Sequence, residues 1–210
     1  MKIFNTKLNG VKVIIPEKLE DDRGYFQETW NNRFYNSILD RLIDPFVQDN
    51  ESCSKKGVAR GMHWQIPPMD QSKLVRCIHG KVIDIIVDVT KNSPSFGEYI
   101  FVELSSENNN QVFIPRGYAH GFISLEDDSV VSYKVDNYYS KEHERSFTIR
   151  NIDLSSFDLD FELILSEKDY NAPSFDNLTD NDLFFYKQII KEETNNNEEN
   201  INGETGSDNG

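Results

Sequence analysis

Short apolar or alternating runs recur between residues 11 and 135, and brief turn-forming segments separate them. Runs of about four to eight residues with alternating polarity are typical of β-strands. The separators, such as residues 79–81 and 126–128, are too short for crossover helices, so we expect antiparallel pairing. Closure into a barrel or jelly roll would remove unprotected edges and leave room for a small ligand, although a sandwich also fits the pattern. The predicted strands of this all-β domain are residues 11–15, 24–28, 73–78, 82–89, 99–104, 111–114, 120–125 and 130–135.

Helical periodicity occurs in two segments, which predict peripheral helices. Residues 31–42 carry apolar side chains at helical spacing, and Thr179 with Asp182 forms a capping-box-like start near the C-terminus. Beyond Lys191 the Asn, Glu and Gly content leaves too little apolar surface to offset the entropy of ordering, so we expect disorder. The predicted organisation is one domain over residues 1–176, a short helix over 177–191 and a disordered, acidic, Asn-rich tail over 192–210.

The composition argues against several functional classes. A formal net charge of −14 and a pI of 4.7 disfavour a general nucleic-acid binder, which needs a basic face. Two cysteines, Cys53 and Cys77, are too few for a disulfide framework and favour a reducing compartment. No apolar run has the length of a signal-peptide core or a membrane span, so we expect a cytoplasmic protein without nucleic-acid or membrane partners.

Histidines are the side chains best suited to acid–base chemistry near neutral pH, and the chain has four. His63 lies in the segment Arg60-Gly61-Met62-His63-Trp64-Gln65, where it is either a hydrogen-bonded core residue or a base beside a cation. His120 follows a Pro-x-Gly turn, which favours a side chain facing a cavity, with a purely structural role as the alternative. The histidines are too scattered to predict a metal-ligand cluster, so we expect no metal.

Polar residues interrupt the apolar strands in the same region. Asp84 lies between two isoleucines, and a buried carboxylate needs a partner, for which a histidine is one candidate and solvent exposure the alternative. Tyr133 shares one strand face with Val131 and Val135, so it is expected to point inward. Cations that together would suit a phosphorylated ligand are Arg23, Arg60, Lys73 and Arg76.

A series of motifs follows one another along residues 2–175: 22–28 (Asp-Arg-Gly-Tyr-Phe-Gln-Glu), 47–50 (Val-Gln-Asp-Asn), 60–65, 73–76 (Lys-Leu-Val-Arg), 114–122, Tyr133, 137–140 (Asn-Tyr-Tyr-Ser) and 165–169 (Leu-Ser-Glu-Lys-Asp). In this order they closely resemble the dTDP-4-dehydrorhamnose 3,5-epimerase family. The residues alone predict only a small-ligand β-domain with a candidate acid–base set. The resemblance implies a cupin-like jelly-roll barrel, a homodimer with shared active sites, a dTDP-sugar substrate and no metal or organic cofactor.

The resemblance also assigns roles to individual residues. His63 would be the general base that removes a proton from carbon 3 or carbon 5 of a 4-dehydro sugar, and Asp169 would orient it. Lys73 would stabilise the negative charge of the enolate, and Tyr133 would return a proton to the opposite face of the sugar. Positions that match substrate-binding residues, the first two of which would reach the partner subunit's site, are Arg23, Phe26, Glu28, Gln48, Asn50, Arg60, Asp84, His120, Tyr139 and Lys168.

Departures from the family pattern leave other functions open. Trp64 stands where a tyrosine or phenylalanine is more usual, and residues 147–151 and 157–161 replace Trp-Asn-Asp and Trp-Pro stretches. A mono-epimerase that inverts only carbon 3 or carbon 5 of a related sugar nucleotide is therefore an alternative to the double epimerase of dTDP-L-rhamnose biosynthesis. A non-catalytic sugar-nucleotide binding module and a metal-dependent cupin oxygenase are the remaining hypotheses.

Overall fold

β-Strands dominate the computed structural model, which describes residues 1–39 and 44–185. Helices in these ranges are short: α1 (Asn32–Ile38), α2 (Glu167–Tyr170) and the 3₁₀ segments Ile149–Asn151 and Phe175–Asn177. The strands are β1 (Lys2–Asn5), β2 (Lys12–Ile15), β3 (Lys18–Asp21), β4 (Gly24–Gln27), β5 (Gln48–Ser54), β6 (Ala59–Gln65), β7 (Lys73–His79), β8 (Lys81–Asp88), β9 (Thr90–Lys91), β10 (Tyr99–Ser105), β11 (Gln111–Ile114), β12 (Tyr118–Ser124), β13 (Ser129–Val135), β14 (Glu144–Ser146) and β15 (Phe184–Phe185).

Two antiparallel sheets form the body of the described chain. The six-stranded sheet has the order β1-β2-β11-β7-β13-β5, and the five-stranded sheet has the order β10-β8-β12-β6-β14. Smaller pairings in the described ranges join β3 to β4 and, in parallel, β15 to β9. Each predicted strand overlaps an observed one, and neighbours in both large sheets run antiparallel. The predictions of a strand-dominated domain and of antiparallel pairing are therefore confirmed.

The interior strand β8 is buried on both faces, which explains its nearly continuous apolar sequence. Val82 and Ile86 pack in a cluster with Val75 of the six-stranded sheet. Ile83 and Ile85 pack in a second cluster, on the other face of the five-stranded sheet, because successive side chains alternate across a strand. Burying each such side chain contributes about 1.5–3 kcal/mol, so the strands behind the site are held by apolar contacts on both sides.

Strands β5 and β6 are not predicted by apolar alternation, although both carry residues of the candidate site. In β5 the sequence Gln-Asp-Asn-Glu-Ser-Cys-Ser is polar, and alternate side chains are exposed. Its order comes from pairing with β13 along its whole length. β6 is interrupted by Gly61 and is defined by its pairing with β12 and β14. Tertiary pairing therefore decides both strands.

The predicted C-terminal helix is wrong for residues 177–185. The backbone N–H and the hydroxyl of Thr179 donate to the Asp182 carboxylate at 2.9 and 2.7 Å, which closes a turn that leads into β15 instead of a helix. Leu183 and Phe184 are buried in the cluster on the outer face of the five-stranded sheet. A capping-box sequence stabilises a turn as well as a helix start, and here burial of the next two residues selects the extended chain.

The predicted N-terminal helix is confirmed in part. The Asn31 side chain accepts a hydrogen bond from the Phe34 N–H and caps α1, which ends at Ile38. The end of the predicted span, residues 40–42, lies outside the described residues, as do residues 186–191 of the other predicted helix and the predicted disordered tail, 192–210. Among the described helices none is long and apolar enough to cross a membrane.

Candidate active site

Two glycines allow β6 and β12 to approach closely, and this sets two histidines opposite each other. A Cβ atom on Gly61 would lie 2.7 Å from the Cα of Gly121, and one on Gly121 would lie 2.7 Å from the carbonyl oxygen of Arg60. Gly61 also has a φ of +113°, a conformation that side chains disfavour. His63 and His120 are register partners across this pair, so their side chains lie on the same face of the sheet.

His63 is held by a carboxylate from a distant part of the chain. Its Nε2 lies 2.6 Å from Oδ1 of Asp169. The Ser166 hydroxyl accepts the Asp169 backbone N–H at 3.1 Å and so caps α2. Burial raises the pKa of Asp169, but the hydrogen bond and the charge of His63 lower it. The net result is a pKa below the ordinary value. Because the carboxylate occupies Nε2, Nδ1 is the ring nitrogen available to exchange a proton with a ligand.

His120 forms a second, more deeply buried pair. Its Nε2 lies 2.7 Å from Oδ2 of Asp84 on β8, and the Asp84 side chain has no exposed surface. Burial raises the pKa of Asp84, and the charge and hydrogen bond of His120 oppose this shift only in part. The histidine partner expected for Asp84 is thus confirmed, and solvent exposure is excluded.

A cavity of about 600 Å³ lies against both histidines. Residues of β6 and β12 line it from the five-stranded sheet, and residues of β5, β7 and β13 line it from the six-stranded sheet. This size is within the range of about 300–1,000 Å³ that is typical of small-ligand sites. Sequence-predicted residues that the structure brings together in its walls are Gln48, Asn50, Arg60, His63, Lys73, His120, Tyr133, Tyr139, Lys168 and Asp169.

Lys73 is a buried cation in this cavity. It is 8% exposed, and its Nζ lies 3.4 Å from Oε1 of Gln71, which is a long hydrogen bond to a neutral acceptor. Burial lowers the pKa of Lys73 to about 8, although the charges of Asp136 and Glu144 raise it. A lysine in such a place can stabilise developing negative charge strongly, because water does not screen it.

Tyr133 points inward, as predicted from the alternation of β13. Its side chain lines the cavity, and it packs against the apolar cluster between the sheets. Burial raises the pKa of the Tyr133 phenol, while the positive charge of Arg60 lowers it in part. The phenol therefore keeps its proton at neutral pH and can donate it to a ligand. His63 belongs to the five-stranded sheet and Tyr133 to the six-stranded sheet, so the two line different walls.

A chain of polar contacts lies along the same cavity. The Gln48 amide donates to Oδ1 of Asn50 at 2.8 Å, and the Tyr139 backbone N–H donates to Oε1 of Gln48 at 3.2 Å. The Tyr139 hydroxyl donates to Glu144 at 3.0 Å, and Nζ of Lys168 lies 2.6 Å from the same carboxylate. These contacts give the tyrosine ring and the two side-chain amides defined positions beside the cavity.

Glu144 is a cavity residue that the sequence reasoning missed. Burial raises its pKa, but hydrogen bonds from Lys168 and Tyr139 lower it below the ordinary value. The residue lies on β14, which pairs with β6 beside His63. Only the general alternation of charges within residues 141–145 marks this segment in the sequence, so no local signal distinguishes Glu144 from a surface glutamate.

Four predicted site residues lie outside the cavity. Arg23 is 89% exposed at its side chain and pairs with Asp21 in the β3–β4 hairpin. Phe26 is 68% exposed and, with Glu28, lines a separate surface depression. Asp84 is not a lining residue either, since it contacts His120 from within the sheet. The expectation that Arg23 and Phe26 reach a partner subunit's site stays a prediction.

Comparison with known proteins agrees with this geometry. The profile of the dTDP-4-dehydrorhamnose 3,5-epimerase family matches residues 5–177. The chain belongs to this family. A dTDP-4-dehydrorhamnose 3,5-epimerase from Shigella flexneri is 40% identical over 178 residues, which cover 83% of this chain and 96% of that relative. Membership in this epimerase family places the protein among the isomerases.

Solved structures of the family have a fold similar to that of this chain. A dTDP-6-deoxy-D-glucose-3,5-epimerase from Legionella pneumophila, in complex with dTDP-4-keto-L-rhamnose, superposes with a TM-score of 0.83 at 38% identity, covering 88% of this chain and 98% of that chain. A 3'-monoepimerase from Streptomyces bikiniensis, in complex with dTDP-quinovose, superposes with a TM-score of 0.80 at 30% identity, covering 90% and 95%. The epimerase fold therefore accommodates both double and single inversion.

Proposed function

We propose that this protein converts dTDP-4-dehydro-6-deoxy-D-glucose to dTDP-4-dehydro-L-rhamnose by inverting carbons 3 and 5. The observation that carries the proposal is the placement of the His63–Asp169 pair, Lys73 and Tyr133 around one cavity. A base, a buried cation and a protonated phenol are the groups that such an inversion needs. Family membership and the 40% identity to the Shigella enzyme support the same reaction.

Proton removal is the first task of the site. The carbonyl at carbon 4 makes the hydrogens on carbons 3 and 5 acidic, because the resulting carbanion is an enolate. His63 Nδ1 would take the proton, and the ionised Asp169 would stabilise the imidazolium that forms. Lys73 would lie against the enolate oxygen, where its charge acts more strongly on the transition state than on the neutral ketone.

Proton return from the other face completes each inversion. Tyr133 lies on the six-stranded sheet and His63 on the five-stranded sheet, so a sugar between them would meet the base on one side and the phenol on the other. Because the pKa of the Tyr133 phenol is raised, the phenol stays protonated at neutral pH. A positioned donor of this kind contributes about 10² to 10⁴ in rate.

Nucleotide binding is assigned to the rest of the cavity and to a second subunit. Arg60 and Lys168 would neutralise the diphosphate, Tyr139 would stack on thymine, and Gln48 with Asn50 would hydrogen-bond the nucleotide. We propose that the protein is a homodimer, in which exposed residues of the hairpin complete the partner's site. An isologous interface would serve both sites at once. The hairpin residues assigned to this task are Arg23 and Phe26, whereas Glu28 is assigned to substrate binding alone.

The finer architecture and setting are part of the same proposal. The two sheets would form the faces of a cupin-like jelly-roll barrel over residues 1–176, followed by a C-terminal extension. The chemistry described needs no metal or organic cofactor. A cytoplasmic location fits two cysteines that are unpaired in the structure, Cys53 and Cys77.

Proton NMR of dTDP-4-dehydro-6-deoxy-D-glucose, incubated with the protein in heavy water, tests this function. Loss of the signals at both carbon 3 and carbon 5, with trapping of the rhamno product by a reductase, is the expected result. The H63N variant is the control and should leave both signals in place. Two persistent signals with the unaltered protein would contradict the proposal and favour a binding module or another sugar nucleotide.

A second candidate function is inversion at one centre only. It is favoured by the likeness to the 3'-monoepimerase from Streptomyces bikiniensis, which has a TM-score of 0.80. The same spectra discriminate the two, because a mono-epimerase would exchange one signal and retain the other.

A further inference from the structure

Within the described structure, the positive charge of the Lys73 ammonium group is not balanced by the groups in contact with it. The side chain is buried, and within the described part of the chain its ammonium group makes no ion pair with a carboxylate. Its ammonium group donates a hydrogen bond to the neutral amide oxygen of Gln71, at 3.4 Å. An unpaired buried ammonium tends to lose its proton, yet only the charged form can stabilise an enolate. Carboxylates that lie beyond contact distance must therefore offset part of the cost of burying the ammonium group.

A group of charges that we call the Arg116 cluster lies beside the start of β7. It consists of one guanidinium, Arg116, and three carboxylates. Arg116 Nη2 lies 2.9 Å from Asp44 and 3.3 Å from Asp136, and Nε lies 3.6 Å from Asp70. The Asp136 side chain has no exposed surface, and Asp70 is 9% exposed at its side chain. When all its members are ionised, the cluster carries two more negative than positive charges.

Asp136 connects the Arg116 cluster to the start of β7, the strand that carries Lys73. Its Oδ1 accepts the backbone N–H of Ser72, the residue before Lys73, at 2.7 Å. The register places Val135, the residue before Asp136, opposite Lys73 itself. The carboxylate is therefore fastened to the backbone immediately next to the lysine, and its second oxygen is turned towards Arg116. A buried carboxylate in this position acts on a neighbouring charge through a medium that screens it weakly.

We propose that Asp136, supported by the Arg116 cluster, is a positioning residue that keeps Lys73 in its charged form and holds the start of β7 in place. This inference rests on the proposed function, since it concerns how the enolate-stabilising cation is maintained. Asp136 itself is not one of the residues that line the cavity. It acts only through Lys73.

The directions of the pKa shifts agree with this arrangement. Burial lowers the pKa of Lys73. Of the two carboxylates whose charges raise this pKa, Asp136 has the larger effect and Glu144 the smaller. Glu144 is itself neutralised by Lys168 at 2.6 Å, whereas Arg116 is shared among three carboxylates. Other titratable or charged groups that line the same cavity from the surrounding elements are Glu51, Arg60, His63, His120, Tyr133, Tyr139, Lys168 and Asp169.

The D136N variant tests the proposal, because asparagine keeps an acceptor for the Ser72 N–H and removes the negative charge. The measurement is kcat/KM for solvent proton exchange as a function of pH from about 6 to 10, where deprotonation of Lys73 sets the alkaline limb. We expect the alkaline limb to move to lower pH by about one unit, so that kcat/KM falls about tenfold at pH values above the limb. At pH 6 the activity should be near that of the unaltered protein. The matched control is D160N, an exposed carboxylate that pairs with Lys56, and it should leave the limb in place.

Two results would overturn the proposal. An alkaline limb at the same pH in D136N would mean that the charge is not felt at Lys73, and an equal loss at every pH would indicate a merely structural role. If D136N does not fold, D70N removes a charge from the same cluster and should move the limb in the same direction by a smaller amount. An unmoved limb in D70N would count against the cluster.

A second readout does not require turnover. In protein labelled with ¹³C at the lysine Cε, with Lys73 assigned by the K73M variant, the NMR titration of Lys73 should shift to lower pH in D136N. An unchanged titration would contradict the proposal. If the unaltered protein exchanged no substrate protons at any pH, the proposed function would fail, while this titration would still decide whether Asp136 supports the charge of Lys73.

Discussion

The two histidine–aspartate pairs lie opposite each other on β6 and β12, and yet their environments differ. In both, Nε2 meets a carboxylate oxygen, at 2.6 Å for His63–Asp169 and at 2.7 Å for His120–Asp84. The His63 side chain is 33% exposed towards the cavity, whereas that of His120 is 9% exposed. The pKa of Asp169 is lowered and that of Asp84 is raised.

The source of each carboxylate explains the difference. Asp169 follows a helix cap, and the nearby Ser166 side chain and Gly61 backbone add to the lowering of its pKa by His63, which favours its charged form. Asp84 lies in the middle of β8, and in the described structure its Oδ1 has no hydrogen-bond partner. Both carboxylates are buried, but one surrounded by groups that favour its charged form keeps its negative charge, whereas one with an unsatisfied oxygen is costly to ionise. The comparison indicates that the His63 pair is suited to take up a proton and the His120 pair to shape the cavity.

Replacing the two histidines one at a time gives the largest expected contrast. H63N should lower kcat for proton exchange about 10³-fold, because the base is removed, and H120N should lower it about tenfold through changed ligand contacts. Single-turnover exchange in heavy water measures both, with dTDP binding as the control for an intact cavity. Equal losses in the two variants would break the distinction between the pairs.

Lys73 sharpens the comparison, since it is a buried ion that contacts no carboxylate of the described residues. A pKa lowered from 10.5 to about 8 corresponds to a cost of about 3 kcal/mol for holding the charge in the folded state. K73M should therefore raise the free energy of unfolding at pH 7 by up to about this amount while abolishing turnover.

The pH dependence of this effect has a definite sign. Between pH 8 and 10.5 the unfolded chain binds the Lys73 proton and the folded chain does not, so the stability of the unaltered protein rises with pH in that window. The advantage of K73M should be largest below pH 8 and vanish by pH 10.5. Urea unfolding at several pH values measures it, and a constant difference between the two proteins would contradict the assigned cost.

The two carboxylates should also respond to acid with opposite signs. The folded pKa of Asp169 is below its unfolded value of 3.8, so its stabilising contribution is lost as the pH falls. The folded pKa of Asp84 is above 3.8, so its contribution grows as the pH falls. As the pH falls through the pKa values of these carboxylates, D169N should lose less stability than the unaltered protein and D84N should lose more. Parallel acid-unfolding curves for both variants would contradict this assignment.

The smallest effect is expected for the hairpin, which contrasts with both buried pairs. R23Q and F26A should raise KM several-fold and leave kcat nearly unchanged, because these residues are proposed to bind the nucleotide in the partner's site and to take no part in proton transfer. K18Q on the same hairpin is a matched control, because Lys18 has no assigned role. A fall in kcat with unchanged KM would mean that the hairpin contributes to the chemistry.

The sequence by itself determined the strand content, the inward direction of Tyr133 and the need of Asp84 for a partner. Period-two alternation and turn residues are local signals, so they specify β-strands without knowledge of the sheet order. Ordered motifs marked His63, Lys73 and Asp169, although only as a resemblance. The polar strand β5 and the C-terminal turn escaped these rules, because pairing and burial with distant residues decided them.

Only the tertiary structure decided which groups act together. Asp169 is 106 positions from His63 in the sequence. Glu144 on β14 forms an ion pair with Lys168 on α2. Arg116 lies close to carboxylates from three separate segments. These interactions depend on distances of a few ångströms and on the exclusion of water, which strengthens charges and shifts pKa values. Neither quantity is encoded in the local pattern of residues, since both arise when the two sheets close around the cavity.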